Sequence, residues 1–537
     1  MTCRCRTCTT ERVKIVKQIK RGRPADVPKL EAKVRRLQNE IHAKFFALPV
    51  ELQAQIFKYA TIKDWANFSN VRKQNRFLLL GSVCSSWRAV AWRTPLLWQS
   101  LSIYIFQKNP RVIKMLAYEW IKRSAPMVGL EIRLYSHHHP GESQDYDKEI
   151  ASLVEVVNLC SDRWGTLSLE IPLHYAQRVR CDLPRPPMLT HLKLHRTEFG
   201  IEQRPPAEEN SDANRALVEP ILGYLPNPWS NIRRLDVSLL LNGRDIGQFL
   251  HIPSEAPALE ELCVDGIRPS RHWKLPLTMN RRMRQTRLRT LKLKRLPSDS
   301  VHALLALAEF PNLRDLILEE VMFPPTRVFT SFIYHCSTSL RFLNLHVAFR
   351  PGNLQPGEAD VFVHILKATP FLNSLFLTCH SIEALDPRML LKNLARPTTV
   401  DKEGQPFLPY LQTLQLSFTR KPRWSWADVP SIFGAAQDNY SFWKLGDRKF
   451  LPSQRPLQFL CMRVYANETM AEDVIDPQTL QRLSDIARKR RVQFAFDLNS
   501  LTVPRRQDAP RRIDLLQSSA KAHGWVWDRY LRDPHRR

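Results

Sequence analysis

The 537-residue chain has no run approaching about 18 consecutive apolar residues, which excludes a membrane-spanning helix of ordinary length. Its first residues, Met1 to Cys8, lack the apolar core of a secretory signal, so the chain reads as intracellular, cytoplasmic or nuclear, with no membrane partner. Also missing are a P-loop, a Gly-x-Gly-x-x-Gly turn after a strand, a Gly-x-Ser-x-Gly elbow and a His-Glu-x-x-His pair. The pattern therefore offers no catalytic residue, metal ligand or cofactor, and the expectation is a non-enzyme. Acidic residues are outnumbered: 52 Asp and Glu against 80 Lys and Arg leave a net charge of +28. That excess attracts nucleic acid, acidic protein surfaces or anionic membrane without choosing among them. The ten cysteines mostly stand singly, as small buried apolar residues do. A hydrophobic content of 43% over this length allows a large core and more than one domain.

Residues 48 to 98 hold the densest pattern. Pro49 suits a helix start, where its missing N–H costs nothing, and Glu51 sits near the positive end of that helix. Leu48, Leu52, Ile56 and Tyr59 recur at spacings of three or four, with Phe57 beside them, giving one apolar face. After the long polar stretch from Thr61 to Phe77, a second stripe runs through Leu80, Val83, Cys84, Trp87 and Val90, flanked by Arg88. Pro95-Leu96-Leu97-Trp98 closes the segment. Two short helices cannot bury both faces against each other, so apolar surface is left for a partner or the next domain. The segment resembles an F-box, the helical module that docks a receptor onto the Skp adaptor of cullin-RING ubiquitin ligases. That resemblance implies that Leu48, Pro49, Leu52, Ile56, Val83, Cys84 and Trp87 form or support the adaptor-binding surface. The plainer reading is the N-terminal piece of a helical core. Cys84 fits packing rather than nucleophilic chemistry.

Downstream, Leu-x-x-Leu-x-Leu recurs, often just after a proline. Its copies begin at Leu189, Ile232, Leu259, Leu288, Leu313, Leu340, Leu372, Leu411 and, more weakly, Leu457, with a degenerate copy at Trp164. The alternating leucines point to one side of a short strand. One strand and one helix cannot close a core, but stacked copies can. Helical stretches fall between copies, at Val301–Phe310 and Val361–Ala368. The copies from 232 to 340 recur every 25 to 29 residues or so. The pattern resembles the degenerate leucine-rich repeats found behind many F-boxes, as in the fungal F-box-like set. The Asn or Cys expected after the third leucine is absent, since Leu318 is succeeded by Glu319, Glu320 and Val321. An ordinary α/β sheet of unrelated strands is the alternative. The strand Val492–Leu498 is expected to close the array.

The fold expected is α/β: an N-terminal helical F-box-like module, then an irregular leucine-rich-repeat solenoid with one parallel strand per repeat. The layout is a basic, disordered N-terminus (1–27), an amphipathic lead-in helix (28–46), an F-box-like domain (47–101), the solenoid (102–500) and a basic tail (501–537). Leu30, Val34, Leu37, Ile41 and Phe45 carry the lead-in helix. In the tail, Trp525, Trp527 and Tyr530 could dock a short helix. Arg21-Gly22-Arg23-Pro24 is the core of an AT-hook, whose arginines follow an A·T minor groove; a solvated basic linker is the plainer reading. Arg488-Lys489-Arg490-Arg491 reads as a nuclear import signal or as cations at a helix C-terminus. Cys3, Cys5 and Cys8 lack a fourth metal ligand, and His137-His138-His139 reads as a turn.

The resemblance implies a substrate-recognition subunit of a Skp–cullin–F-box ligase, with partners the Skp adaptor, cullin through it, and an acidic or phosphorylated target. The alternative is a nuclear DNA- or chromatin-associated protein using Arg21 to Pro24 and the basic surface.

Overall fold

A computed structural model of the chain describes residues 17, 28–32, 48–62, 76–105, 110–124, 126, 129–136, 144–171, 175, 178–179, 189–195, 228–239, 256–266, 283–296, 298–348, 358–379, 387–395, 407–418, 425–433, 443–445, 448–450, 456–466, 474–500 and 512–524. The chain divides into two compact units, Met1–Gly165 and Thr166–Arg537. Residues 28–32 are helical, while the rest of the 28–46 segment, Arg21 to Pro24, the three N-terminal cysteines, His137 to His139 and Trp525 to Tyr530 lie outside the described residues.

The first unit begins with helices α1 (Val50–Ile62), α2 (Arg76–Val83) and α3 (Ser85–Arg93), then a 3-10 turn over Pro95–Trp98. The Pro49 carbonyl starts α1, accepting from Leu52 N (3.0 Å) and Gln53 N (3.1 Å). The stripe from Leu80 to Val90 is not one helical face. Cys84 takes an extended conformation (φ −157, ψ 169) and caps α3, its Sγ accepting from Trp87 N at 3.4 Å. That break resets the helical phase, so residues before and after Cys84 sit on separate helices.

Trp98 ties these helices to the first strands. It is buried, and its indole N–H donates to Ala91 O at 3.0 Å. Its ring meets Trp92 (5.5 Å) and Trp120 (4.9 Å) edge-on, with the Arg123 guanidinium 5.1 Å above it. Trp120 and Arg123 belong to α4 (Pro110–Arg123), the crossover between parallel strands β1 (Ser100–Ile105) and β2 (Leu130–Ser136). Helix α5 (Gln144–Asn158) comes next, and β3 (Trp164–Glu170) starts where the unit ends.

In the second unit the repeat copies are strands: β3, β4 (His191–His195), β5 (Arg234–Leu239), β6 (Glu261–Gly266), β7 (Thr290–Lys294), β8 (Asp315–Met322), β9 (Phe342–Ala348), β10 (Ser374–Cys379), β11 (Thr413–Phe418) and β12 (Phe459–Ala466). They lie side by side in chain order, with β13 (Gln493–Ser500) and β14 (Arg512–Asp514) after them, in a row that does not close on itself. Pairing is parallel from β3 to β13, with the leucines in register: Leu291 opposite Leu316, Leu343 and Leu375 in turn. These leucines are fully buried while their neighbours in the strand face outward, the alternation a one-sided sheet requires.

Between strands run α6 (Ser298–Leu307), α7 (Thr326–Cys336), α8 (Glu358–Lys367), α9 (Pro387–Ala395) and α10 (Pro477–Arg490). Each buries an apolar stripe, such as Phe329, Phe332, Ile333 and Cys336 of α7. Where the repeat's Asn or Cys would stand, Glu320 adopts a left-handed φ of 53° and the β8–β9 register shifts. The strand at 492–498 does not end the array. β14 pairs antiparallel with β13, and α11 (Leu515–Ala522) buries Leu515, Leu516 and Ala520. A three-residue strand is too short to show an alternation, so the sequence did not announce it.

Candidate functional site

Helix α1 has two unlike sides. Inward, Phe57 is fully buried and packs on Trp87 of α3 at 5.1 Å between ring centroids. Gln53 is also buried, and its side-chain amide donates to Leu48 O at 2.7 Å, tying the helix to the residue before Pro49. Outward, Leu52 and Ile56 are each 44% exposed and Tyr59 is 73% exposed. Leu79 and Val83 of α2 are exposed as well.

Seven residues carry the sequence expectation, and they fall into two groups. Leu52, Ile56 and Val83 present apolar surface to solvent. Leu48, Cys84 and Trp87 are half-buried, and exposed Pro49 opens α1. Of these, Cys84 caps α3 and Trp87 backs Phe57, so both hold the helices in place.

Two contributors escape sequence reasoning. Gln53 has the character of a solvated polar residue, yet it lies on the inner side because the apolar stripe faces out. Gly81 sits where a Cβ would come within 2.4 Å of the Trp92 ring, and its carbonyl accepts from Arg88 Nε at 2.9 Å. The only signal for Gly81 is a glycine inside an otherwise apolar helix, the mark of a close approach.

Among the described residues, the remaining features do not assemble a reactive centre. Burial pushes the Cys160 thiol up to about 11, and the Cys263 and Cys336 thiols up to about 12, so these three stay protonated near neutral pH. Among the described residues there is no group of three or more potential metal ligands and no helix long and apolar enough to cross a membrane. Arg488, Lys489 and Arg490 form the last turn of α10, and Arg491 caps it in a left-handed conformation (φ 56°). Cations there complement the helix dipole.

Residues 45–104 match the model of the F-box-like family, and this segment is an F-box-like domain. No curated protein matches the chain. F-box domains bind the Skp adaptor in Skp–cullin–F-box ubiquitin-ligase complexes, where F-box proteins are typically non-catalytic subunits.

Proposed function

We propose that this chain is the substrate-recognition subunit of a Skp–cullin–F-box ubiquitin ligase. The F-box-like domain docks the Skp adaptor, and through it cullin, using the outward side of α1 and the end of α2: Leu52, Ile56 and Val83, supported by Leu48, Pro49, Cys84 and Trp87. The second unit is a degenerate leucine-rich-repeat solenoid that receives the target protein. The receptor performs no chemistry; it raises the effective concentration of target near the transferring subunits.

The observation that carries this reading is the exposed apolar side of α1 within the F-box-like segment. Leu52 and Ile56 lie one helical turn apart and open to solvent, as in helices that seat in a partner's groove. For the second unit, support comes from chain-order parallel strands sharing buried leucine columns, the geometry of stacked repeats.

The test is co-purification of the full chain with a Skp adaptor, beside a Leu52→Asp, Ile56→Asp variant. Both substitutions lie at exposed positions, so circular dichroism of the variant should match the parent. Capture by the parent and not by the variant is expected. A folded parent that captures no adaptor would end the receptor reading.

A further inference from the structure

In each repeat, one residue sits just before the strand, and backbone hydrogen bonds link these residues from repeat to repeat. Arg233 N donates to Thr190 O (2.8 Å), Glu260 N to Arg233 O (2.7 Å) and Arg289 N to Glu260 O (2.8 Å). Arg314 N donates in turn to Arg289 O (2.7 Å) and Arg341 N to Arg314 O (2.8 Å). The row continues through Asn373, Gln412 and Gln458 by the same bonds. Neighbouring strands stand about 4.8 Å apart, so Arg289, Arg314 and Arg341 set three cationic side chains along roughly 10 Å.

Among the described residues their charge is not neutralised. Glu260 stands 4.0 Å from Arg233, but among the described residues no carboxylate reaches ion-pair distance of Arg289, Arg314 or Arg341. The nearest acid in sequence, Asp315, accepts a hydrogen bond from Thr290 Oγ1 at 2.9 Å instead. Arg289 and Arg314 are exposed. Arg341 is held in place: its Nη1 donates to Thr338 O (3.0 Å) and Leu340 O (3.1 Å), and its guanidinium lies 4.9 Å over Phe371. Partial burial, and then the positive charge of Arg314, lower its proton affinity. Like charges on adjacent strands destabilise the free protein, and a row of them complements an anionic partner.

We propose that this row binds an extended, Asp- and Glu-rich peptide segment of the target protein. Peptide carboxylates pair with Arg289 and Arg314, against the fixed Arg341–Phe371 edge. The amides of Asn373, Gln412 and Gln458 hydrogen-bond the peptide backbone beyond it. Charges strung along a line, rather than converging on a point, match a run of carboxylates better than a single phosphate. The inference rests on the reading of the second unit as the target-receiving part.

The test uses the full chain and a short fluorescent Glu-rich peptide, followed by anisotropy at low and at physiological salt. An Arg289→Gln, Arg314→Gln variant should bind about ten-fold or more weakly. An Arg233→Gln variant removes one charge of the same row that already has a partner, and should stay within about two-fold of the parent. Binding should weaken as salt rises. Equal losses in both variants would mean diffuse attraction and would overturn the proposal. So would tighter binding of a singly phosphorylated peptide or of single-stranded DNA at the same row, or no peptide binding at all. Adaptor capture is measured on the same samples: a chain that captures adaptor yet binds no peptide overturns the row while leaving the receptor reading intact.

Discussion

Helix α1 and strand β9 carry equally regular apolar residues and use them in opposite ways. In β9, Leu343 and Leu345 are buried under the sheet. In α1, Leu52, Ile56 and Tyr59 face solvent while Gln53 and Phe57 turn inward. Periodicity reveals that an element has an apolar face. It does not reveal whether that face meets the protein's own core or is left for a partner. The difference lies in what surrounds it. β9 has a strand on each side and a helix in each connection. Among the described residues, α1 has only short neighbouring helices, whose area cannot cover two faces.

The sharpest way to break this contrast is to truncate one residue of each kind. Leu343→Ala removes a fully buried side chain between two strands and should cost about 2–5 kcal/mol by urea denaturation. A cost near zero would mean the leucine columns are not the core of the second unit. Gly81→Ala should come next, at about 1–3 kcal/mol, because its new methyl meets the Trp92 ring.

Smaller again is Asp476→Ala. Asp476 caps α10, its carboxylate accepting from Thr479 N at 2.9 Å, and losing it should cost about 1 kcal/mol. Hydrogen bonding by the Thr479 side chain, then by its backbone, holds the Asp476 carboxyl below the usual carboxylate range. A depressed folded value means the cap's contribution is present above the unfolded value of about 4. It fades as pH falls through the depressed value, so parent and variant melting temperatures should converge in acid. The smallest effect belongs to Ile56→Ala, within about 0.5 kcal/mol in thermal melts, since its side chain already meets water. A large loss there would place Ile56 in a core and erase the contrast with Leu343.

Much of the second unit is legible because its signal is redundant. Every copy from Leu189 to Leu457 became a strand, and the stretches at 301–310 and 361–368 overlap α6 and α8, although α6 ends at Leu307 and Ala308–Glu309 pairs as a short strand with Met283–Arg284. The redundancy fails at the end of the array, where β14 offers three residues and no leucine pattern. In the first unit the segment is readable and its internal phase is not. The stripe through Cys84 joins two helices because side-chain spacing cannot show one extended residue between them. Gln53 is hidden by the same rule that makes Leu52 visible, since an apolar face is ordinarily the buried one and here it is not. The arginine row is legible only through the repeat: Arg289, Arg314 and Arg341 are 25 and 27 residues apart, each follows the first leucine of its copy, and strand register brings them together.

The most direct test of the central claim, that the outward side of α1 is a docking surface, is amide hydrogen exchange on the full chain with and without a Skp adaptor. Slower exchange in residues 48–62 and 79–90, with β8 to β10 unchanged, is the predicted result. Protection confined to β8 to β10, or none anywhere despite complex formation, would contradict it.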